Sequence, residues 1–205
     1  NYKHVLITHG HFDHYAREQL TGRYVTDENW TFYLPPQTAA PERERLQKSL
    51  QGAKGNPPRR APEIADAVPF VPMDIMGYRV TPLPARHAPS IGSVIYLIEK
   101  DGKRLLYAHD CAGFTAEDLD FLAGKRLDLV TLDCTYGGNA PKSVGHMGYA
   151  EDLKCREQLK QRGAADDKTI FVANHFSHNG VRPYADMQAL LPGFIVSYDG
   201  MVIEF

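Results

Sequence analysis

The chain has 205 residues, with 23 Lys and Arg against 25 Asp and Glu, so its formal charge is −2 and charge alone gives no reason to expect nucleic acid or an anionic membrane as a partner. Hydrophobic residues make up 43%, but the apolar runs are only a few residues long, and neither a membrane span nor a signal peptide is visible. At this length about 70% of the unfolded chain's surface can be buried, enough for a single domain over residues 1–205.

Cys111, Cys134 and Cys155 are odd in number and lack CxxC spacing. They read as small buried hydrophobes rather than a disulfide framework, which points to a reducing, cytoplasmic compartment.

The chain opens inside an apolar, strand-like run at residues 2–8, as though further strands preceded it. Residues 13–20 can form a short helix. Residues 35–72 hold eight of the fourteen prolines and the charged run Glu42-Arg43-Glu44-Arg45, and read as an insertion or mobile lid. From residue 78 the pattern turns β-rich: strands at 78–83, 93–99 and 104–108, the last two joined by the hairpin signal Asp101-Gly102. Thr115 and Asp118 resemble a capping box ahead of a helix, and residues 127–133 read as a buried strand. A helix over 149–161, stopped by Gly163, is the clearest element. Residues 169–173 follow as a strand, 184–191 as a short helix, and 194–205 as a terminal hairpin turning at Asp199-Gly200. This alternation predicts a layered α/β domain.

The densest chemistry lies in Thr8-His9-Gly10-His11-Phe12-Asp13-His14, an H-x-H-x-D-H run directly after an apolar strand. A tight turn at Gly10 can splay His9 and His11 toward one cation, while Asp13 and His14 face a second beside it. Imidazole with carboxylate suits zinc, manganese or iron rather than calcium. Further ligands are expected beyond the C-terminal ends of other strands, where an α/β scaffold builds its sites. His87, Asp110 and His175 occupy such positions. Each alone is more often an ordinary polar loop residue, but their shared placement makes them candidates. His109 adjoins Asp110, yet neighbouring strand residues point to opposite faces, so it is left out. His4 reads as a surface or packing residue. Arg86 and Arg182 flank predicted ligands and read as solvated or phosphate-facing. The Tyr136-Gly137-Gly138 turn could present backbone N–H groups to a phosphate.

The order H-x-H-x-D-H, lone His, lone Asp, final His resembles the metallo-β-lactamase superfamily over nearly the whole chain. The resemblance implies a four-layer αββα sandwich, with metals at one edge of two packed sheets and some N-terminal strands of the fold missing from this chain. A narrower resemblance, to the PhnP-like phosphodiesterases that open phosphoribosyl 1,2-cyclic phosphate during phosphonate breakdown, rests on Val80-Thr81-Pro82-Leu83-Pro84, Leu132-Asp133-Cys134, His175-Phe176-Ser177-His178 and the Gly193-Phe194 and Asp199-Gly200-Met201 segments. It implies that His9, His11 and His87 hold one divalent metal, manganese or zinc, that Asp13, His14 and His175 hold another, and that Asp110 bridges them.

The implied reaction is hydrolysis of a small phosphodiester by a hydroxide shared between the metals. Asp13 belongs to the catalytic set and His146 is the general acid that protonates the leaving oxygen, although His146 could instead only cap its loop. Asp133 would orient a ligand histidine. His178 matches a histidine that such enzymes use in an additional structural zinc site; a buried histidine bonded to backbone is the alternative. A nuclease of the tRNA 3′-processing type, and a non-catalytic metal-binding or ligand-sensing module, remain as other functions. A homodimer is left open.

Overall fold

The computed structural model describes residues 3–17, 30–52, 62–142, 144–180 and 182–205. In chain order the elements are β1 (His4–Leu6), β2 (Thr31–Leu34), α1 (Pro36–Gly52), β3 (Glu63–Asp66), β4 (Met73–Ile75), β5 (Tyr78–Pro84), β6 (Val94–Lys100), β7 (Lys103–Ala108), α2 (Ala116–Leu122), β8 (Leu129–Asp133), α3 (Tyr149–Gln161), β9 (Ile170–Asn174), α4 (Tyr184–Leu190) and β10 (Ile195–Val196). The strands form two sheets, β1-β2-β3 and β10-β9-β8-β7-β6-β5-β4.

Alternation along the strands assigns each face. In β6, Val94, Tyr96 and Ile98 join Leu6 and Tyr33 of the small sheet in one apolar cluster, so the two sheets pack face to face. The intervening Ile95 and Leu97 turn the other way, onto Leu119 and Leu122 of α2 and Leu159 of α3. On the far side of the small sheet, Val5, Phe32 and Leu34 pack with Ala39 of α1. The order of layers is therefore helix, sheet, sheet, helices, a mixed α/β sandwich of the metallo-β-lactamase type.

Local chemistry fixes the element ends. Asp101 and Gly102 both carry positive φ, 50° and 81°, as the two-residue turn between the antiparallel β6 and β7 requires. The capping box is present at α2: Asp118 N donates to Thr115 Oγ1 at 3.1 Å and Thr115 N to Asp118 Oδ2 at 2.8 Å.

Three expectations are corrected. The proline-rich stretch is not a lid over its described length, because residues 36–52 form α1 and residues 63–66 form β3. Pro36 opens the helix, where a missing N–H costs nothing, and the charged run is structural: buried Glu42 accepts from Arg45 at 2.9 and 2.5 Å, and Arg43 pairs with Asp66. Residues 53–61 of that stretch lie outside the described residues. No terminal hairpin forms, since only Ile195–Val196 is strand, it pairs parallel to β9, and nothing beyond Asp199-Gly200 returns along it. The start of the expected first helix moves, since residues 12–14 make a turn and residue 17 is the first helical one, while positions 18–20 lie outside the described residues.

One buried group has a measurable consequence. Asp152, in the first turn of α3, is fully buried, and its carboxyl oxygens meet no hydrogen-bond partner beyond a contact with the Cys134 thiol. Burial, with Asp133 and Glu151 nearby, pushes its pKa well up, offset only in part by the Cys134 thiol. A raised folded-state pKa means that its contribution to stability is full below the unfolded value of about 4 and is lost as pH rises toward the folded value. Asp152→Asn removes that dependence. The melting temperature of the variant should therefore gain on the parent between pH 4 and pH 8, and parallel curves would rule the assignment out.

Candidate metal centre

Strand direction gathers the site. β7, β8 and β9 run parallel, and β5 runs the same way because it and β7 both lie antiparallel to β6. Their C-terminal ends therefore share one edge. β1 joins that edge through Val94 N, which donates to Thr8 O at 2.9 Å. Tyr96 Oη reinforces the junction by donating to Ile7 O at 2.7 Å.

At the edge the imidazoles converge. His9 Nε2 stands 3.0 Å from His11 Nδ1, and His87 Nε2 3.3 Å from the same atom, so these three form one donor group. Asp110 lies beside it, nearly fully buried, with Oδ1 3.9 Å from His87 Nε2. Its Oδ2 is 3.4 Å from His14 Nε2 and 3.2 Å from His175 Nε2. Asp13 is exposed and outside the closest groups, with its carboxylate 3.6 Å from His14 Nε2. Asp110 and His175 both adopt positive φ, 51° and 60°, a strained backbone that turns each side chain off its strand end.

The hydrogen bonds behind these rings set their tautomers. His87 Nδ1 donates to Gly145 O at 3.0 Å, leaving Nε2 as a lone pair directed at the cluster. Thr135 Oγ1 donates to the His175 carbonyl at 3.1 Å and lies 2.8 Å from His175 Nδ1, which fixes that ring in the same sense. Burial, followed by the neighbouring imidazoles, pulls His9 down to about 3, and burial also lowers His87. Neutral rings are what a metal requires. The fit is clearest at Asp110 Oδ2, a buried carboxylate oxygen that no hydrogen bond reaches but that two Nε2 atoms flank. Imidazole lone pairs and an uncompensated carboxylate together make a donor set for divalent cations.

His146 differs. Its Nδ1 donates at 2.8 Å to Oδ2 of Asp133, and that hydrogen bond raises its pKa. Asp133 is fully buried; burial pushes its own pKa up, but the bonds from His146 and from Thr135 N at 2.9 Å outweigh this and lower it. Asp133 thus holds His146 directly, whereas His175 Nδ1 is 3.7 Å away. The rings of His146 and His175 stack with centroids 5.7 Å apart.

Other residues fall differently from the reading of the sequence. His109 sits beyond the end of β7, so strand alternation does not govern it; it is buried, with its ring 4.2 Å from Tyr107 and 5.8 Å from His175. His178 lies exposed in a short 3₁₀ turn and joins no donor group among the described residues. The Tyr136-Gly137-Gly138 turn spends two of its amides internally, Tyr136 N on Met147 O and Gly137 N on Cys134 O, at 2.9 Å each, so those amides are not offered to a phosphate. Arg86 and His4 are exposed, His4 Nδ1 lying 3.0 Å from Tyr33 Oη. All three cysteines are free and buried. Thr135 and the Gly145 carbonyl escaped the sequence reading, because a backbone acceptor and a lone threonine carry no signature.

The family model described as "Beta-lactamase superfamily domain" matches residues 1–176. No curated protein is significantly similar in sequence. Among solved structures, the metallo-β-lactamase fold protein YhfI from Bacillus subtilis is similar with a TM-score of 0.66 at 17% identity, over 98% of this chain and 78% of that one. Zn(2+)-bound PqqB from Methylobacterium extorquens gives 0.65 at 19% identity, over 98% and 73%. Human tRNase Z, short form, gives 0.62 at 16% identity, over 98% and 78%. Among the described residues no helix is long and apolar enough to cross a membrane.

Because Asp110 faces both ligand clusters while His11 belongs to one, Asp110→Ala should strip more divalent metal than His11→Ala. Metal analysis after dialysis, with the metal-dependent rise in melting temperature, measures this. Equal losses would show that Asp110 is not shared.

Proposed function

Since the chain belongs to the β-lactamase superfamily, we propose that it is a dinuclear metal-dependent hydrolase that cleaves a small phosphodiester, a ribosyl 1,2-cyclic phosphate of the kind opened by PhnP-like enzymes. His9, His11 and His87 hold one divalent ion, Asp13, His14 and His175 the other, and Asp110 lies between them. Manganese or zinc in this site would supply Lewis acidity and a nucleophile at neutral pH.

The observation that carries the reading is the pairing of His146 with buried Asp133 at 2.8 Å, beside His175. With Nδ1–H directed at Asp133, the proton on Nε2 is free to be delivered to a ribose oxygen as it departs, a poor leaving group near neutral pH. Asp133 holds the ring in that tautomer and favours its protonated form. Ring stacking on His175 keeps Nε2 close to the ligand cluster. Three buried free thiols fit a reducing, cytoplasmic setting.

A nuclease of the tRNA-processing type is the second reading, favoured by the likeness to human tRNase Z. The net charge of −2 weighs against it, since binding a polyanionic backbone relies on clustered Lys and Arg.

Manganese-loaded protein should hydrolyse bis(p-nitrophenyl) phosphate and a ribosyl 1,2-cyclic phosphate. Asp110→Ala should abolish both activities. His146→Ala should lower kcat on the cyclic ester by about 10² to 10⁴, the usual range for a general acid, and less on the aryl ester, whose leaving group needs no proton. Cleavage of tRNA without turnover of either small ester would favour the nuclease, and bound metal without any turnover would favour a non-catalytic module.

A further inference from the structure

The first turn of α1 stands between two of the loops that carry candidate ligands. Thr38 is buried there, with 2% of its surface exposed. Its Oγ1 donates to Ile91 O at 2.8 Å, in the short 3₁₀ turn Pro89–Ile91 that follows His87. The same side chain lies against Gly10, the residue between His9 and His11. A Cβ on Gly10 would stand 2.8 Å from Thr38 Oγ1 and 2.9 Å from its Cγ2, closer than any side chain allows. Gln37 makes a similar approach one residue earlier, since a Cβ on Gly92 would collide with its Oε1 and Cδ.

Both loops thus pack on α1 at glycines. Threonine suits the place between them because its β-branched side chain has little χ1 freedom and makes a stiff spacer. Its hydroxyl also satisfies a part-buried peptide carbonyl that would be costly to leave unpaired.

The separation of the two loops matters at His11 Nδ1, which lies 3.0 Å from His9 Nε2 and 3.3 Å from His87 Nε2. Other ties act on either side of the contact. Val94 N and Tyr96 Oη hold Thr8 O and Ile7 O, ahead of the turn, and Gly145 O holds the outer nitrogen of the His87 ring. Thr38 spans from Gly10 itself to the loop after His87.

We propose that Thr38 is a positioning residue for the His9, His11 and His87 donor group, a spacer that sets the distance between the H-x-H turn and the loop carrying His87. The proposal rests on the metal-dependent reading, through the assignment of these three imidazoles to one divalent ion. Thr38 itself touches neither the ion nor a substrate and acts through the two loops.

Cobalt(II) added to the metal-free protein tests this, because its visible absorption reports the arrangement of its ligands. Thr38→Val keeps the bulk against Gly10 but removes the donor; it should weaken cobalt binding about tenfold in competition with a chelator, and alter the visible bands. Thr38→Ser restores the donor and should keep the parent's spectrum, with affinity within about threefold of the parent's. Leu46→Ala trims another buried side chain of the same helix, about two turns further on. It should lower the melting temperature without changing cobalt affinity or the spectrum, as a loss of stability alone would.

Gly10→Ala probes the contact from the other loop. Its methyl collides with Thr38 Oγ1 and Cγ2 but clears Thr38 Cβ, 3.5 Å away. It should therefore weaken cobalt binding in the parent and add little in Thr38→Ala, a coupling that a double-mutant cycle measures. Strictly additive losses overturn the proposal. So does a Thr38→Val protein with the parent's affinity and spectrum, or one that changes no more than Leu46→Ala, and either result leaves the metal assignment standing. A parent protein that binds no cobalt overturns both.

Discussion

A buried carboxylate with an oxygen that no hydrogen bond reaches costs several kcal/mol unless positive charge reaches it, and Asp110, through its Oδ2, puts that cost at the centre of this fold. Its surroundings repay it only in part: burial pushes His9, and His87 with it, toward the neutral form. Neutral imidazoles in turn carry lone pairs that need an acceptor. One kind of ligand, a divalent cation, meets both requirements, so the donor cluster and the stranded carboxylate are two halves of a single constraint.

The scaffold satisfies that constraint through strand direction. Strands β5, β7, β8 and β9 of the large sheet point the same way, and the small sheet is joined to it where β1 ends, so the loops after these five strands open on one edge. Candidate ligands on four separate loops would tolerate little drift, and the backbone strain at Asp110 and His175, about 1–3 kcal/mol at each, persists only where the neighbours over-determine it. They do so here. Thr135 grips both ends of His175, Asp133 accepts from Cys111 N next to Asp110 at 3.2 Å, and Ala112 N is tied to Arg86 O at 3.0 Å. On the small sheet, Glu42 of α1 hydrogen-bonds the buried Tyr15 hydroxyl just past the H-x-H-x-D-H turn, anchoring that loop to its outer helix.

What the sequence reveals and what it hides follow one physical division. Helix α3 is legible to the residue because a local pattern and a glycine stop define it, and the β6–β7 hairpin because two residues with positive φ define it. The histidines that converge at the edge are legible because their spacing and their place after strands are local facts. The proline-rich stretch misleads because prolines mark loops statistically, whereas Pro36 sits where a helix begins and Glu42 is buried by contacts from distant residues. Ile195–Val196 looks like half of a hairpin because its turn is real, but its partner, β9, is parallel and lies earlier in the chain. Thr135, the Gly145 carbonyl and the Asp133–His146 pair depend on loops meeting across 13 to 58 positions, a separation no local pattern encodes.

The same residue type ends up in opposite electrostatic states a few ångströms apart. Burial and crowding push His9 and His87 toward the neutral form, while the Asp133 carboxylate favours a proton on His146. Environments that drive like groups apart suit them to different roles that identity alone leaves open: the depressed rings to lone-pair donation and the elevated ring to the proton delivery proposed for it. Asp133 belongs to the same balance. Three peptide N–H groups, from Cys111, Thr135 and Met147, stabilise its charge, so the carboxylate stays ionised despite complete burial. The proposed acid is therefore a property of the β8 end and the loop after it, and the donor cluster a property of the neighbouring strand ends. Thr135 lies within reach of both, 2.8 Å from His175 and 3.2 Å from His146, and links the proposed ligand ring to the proposed acid.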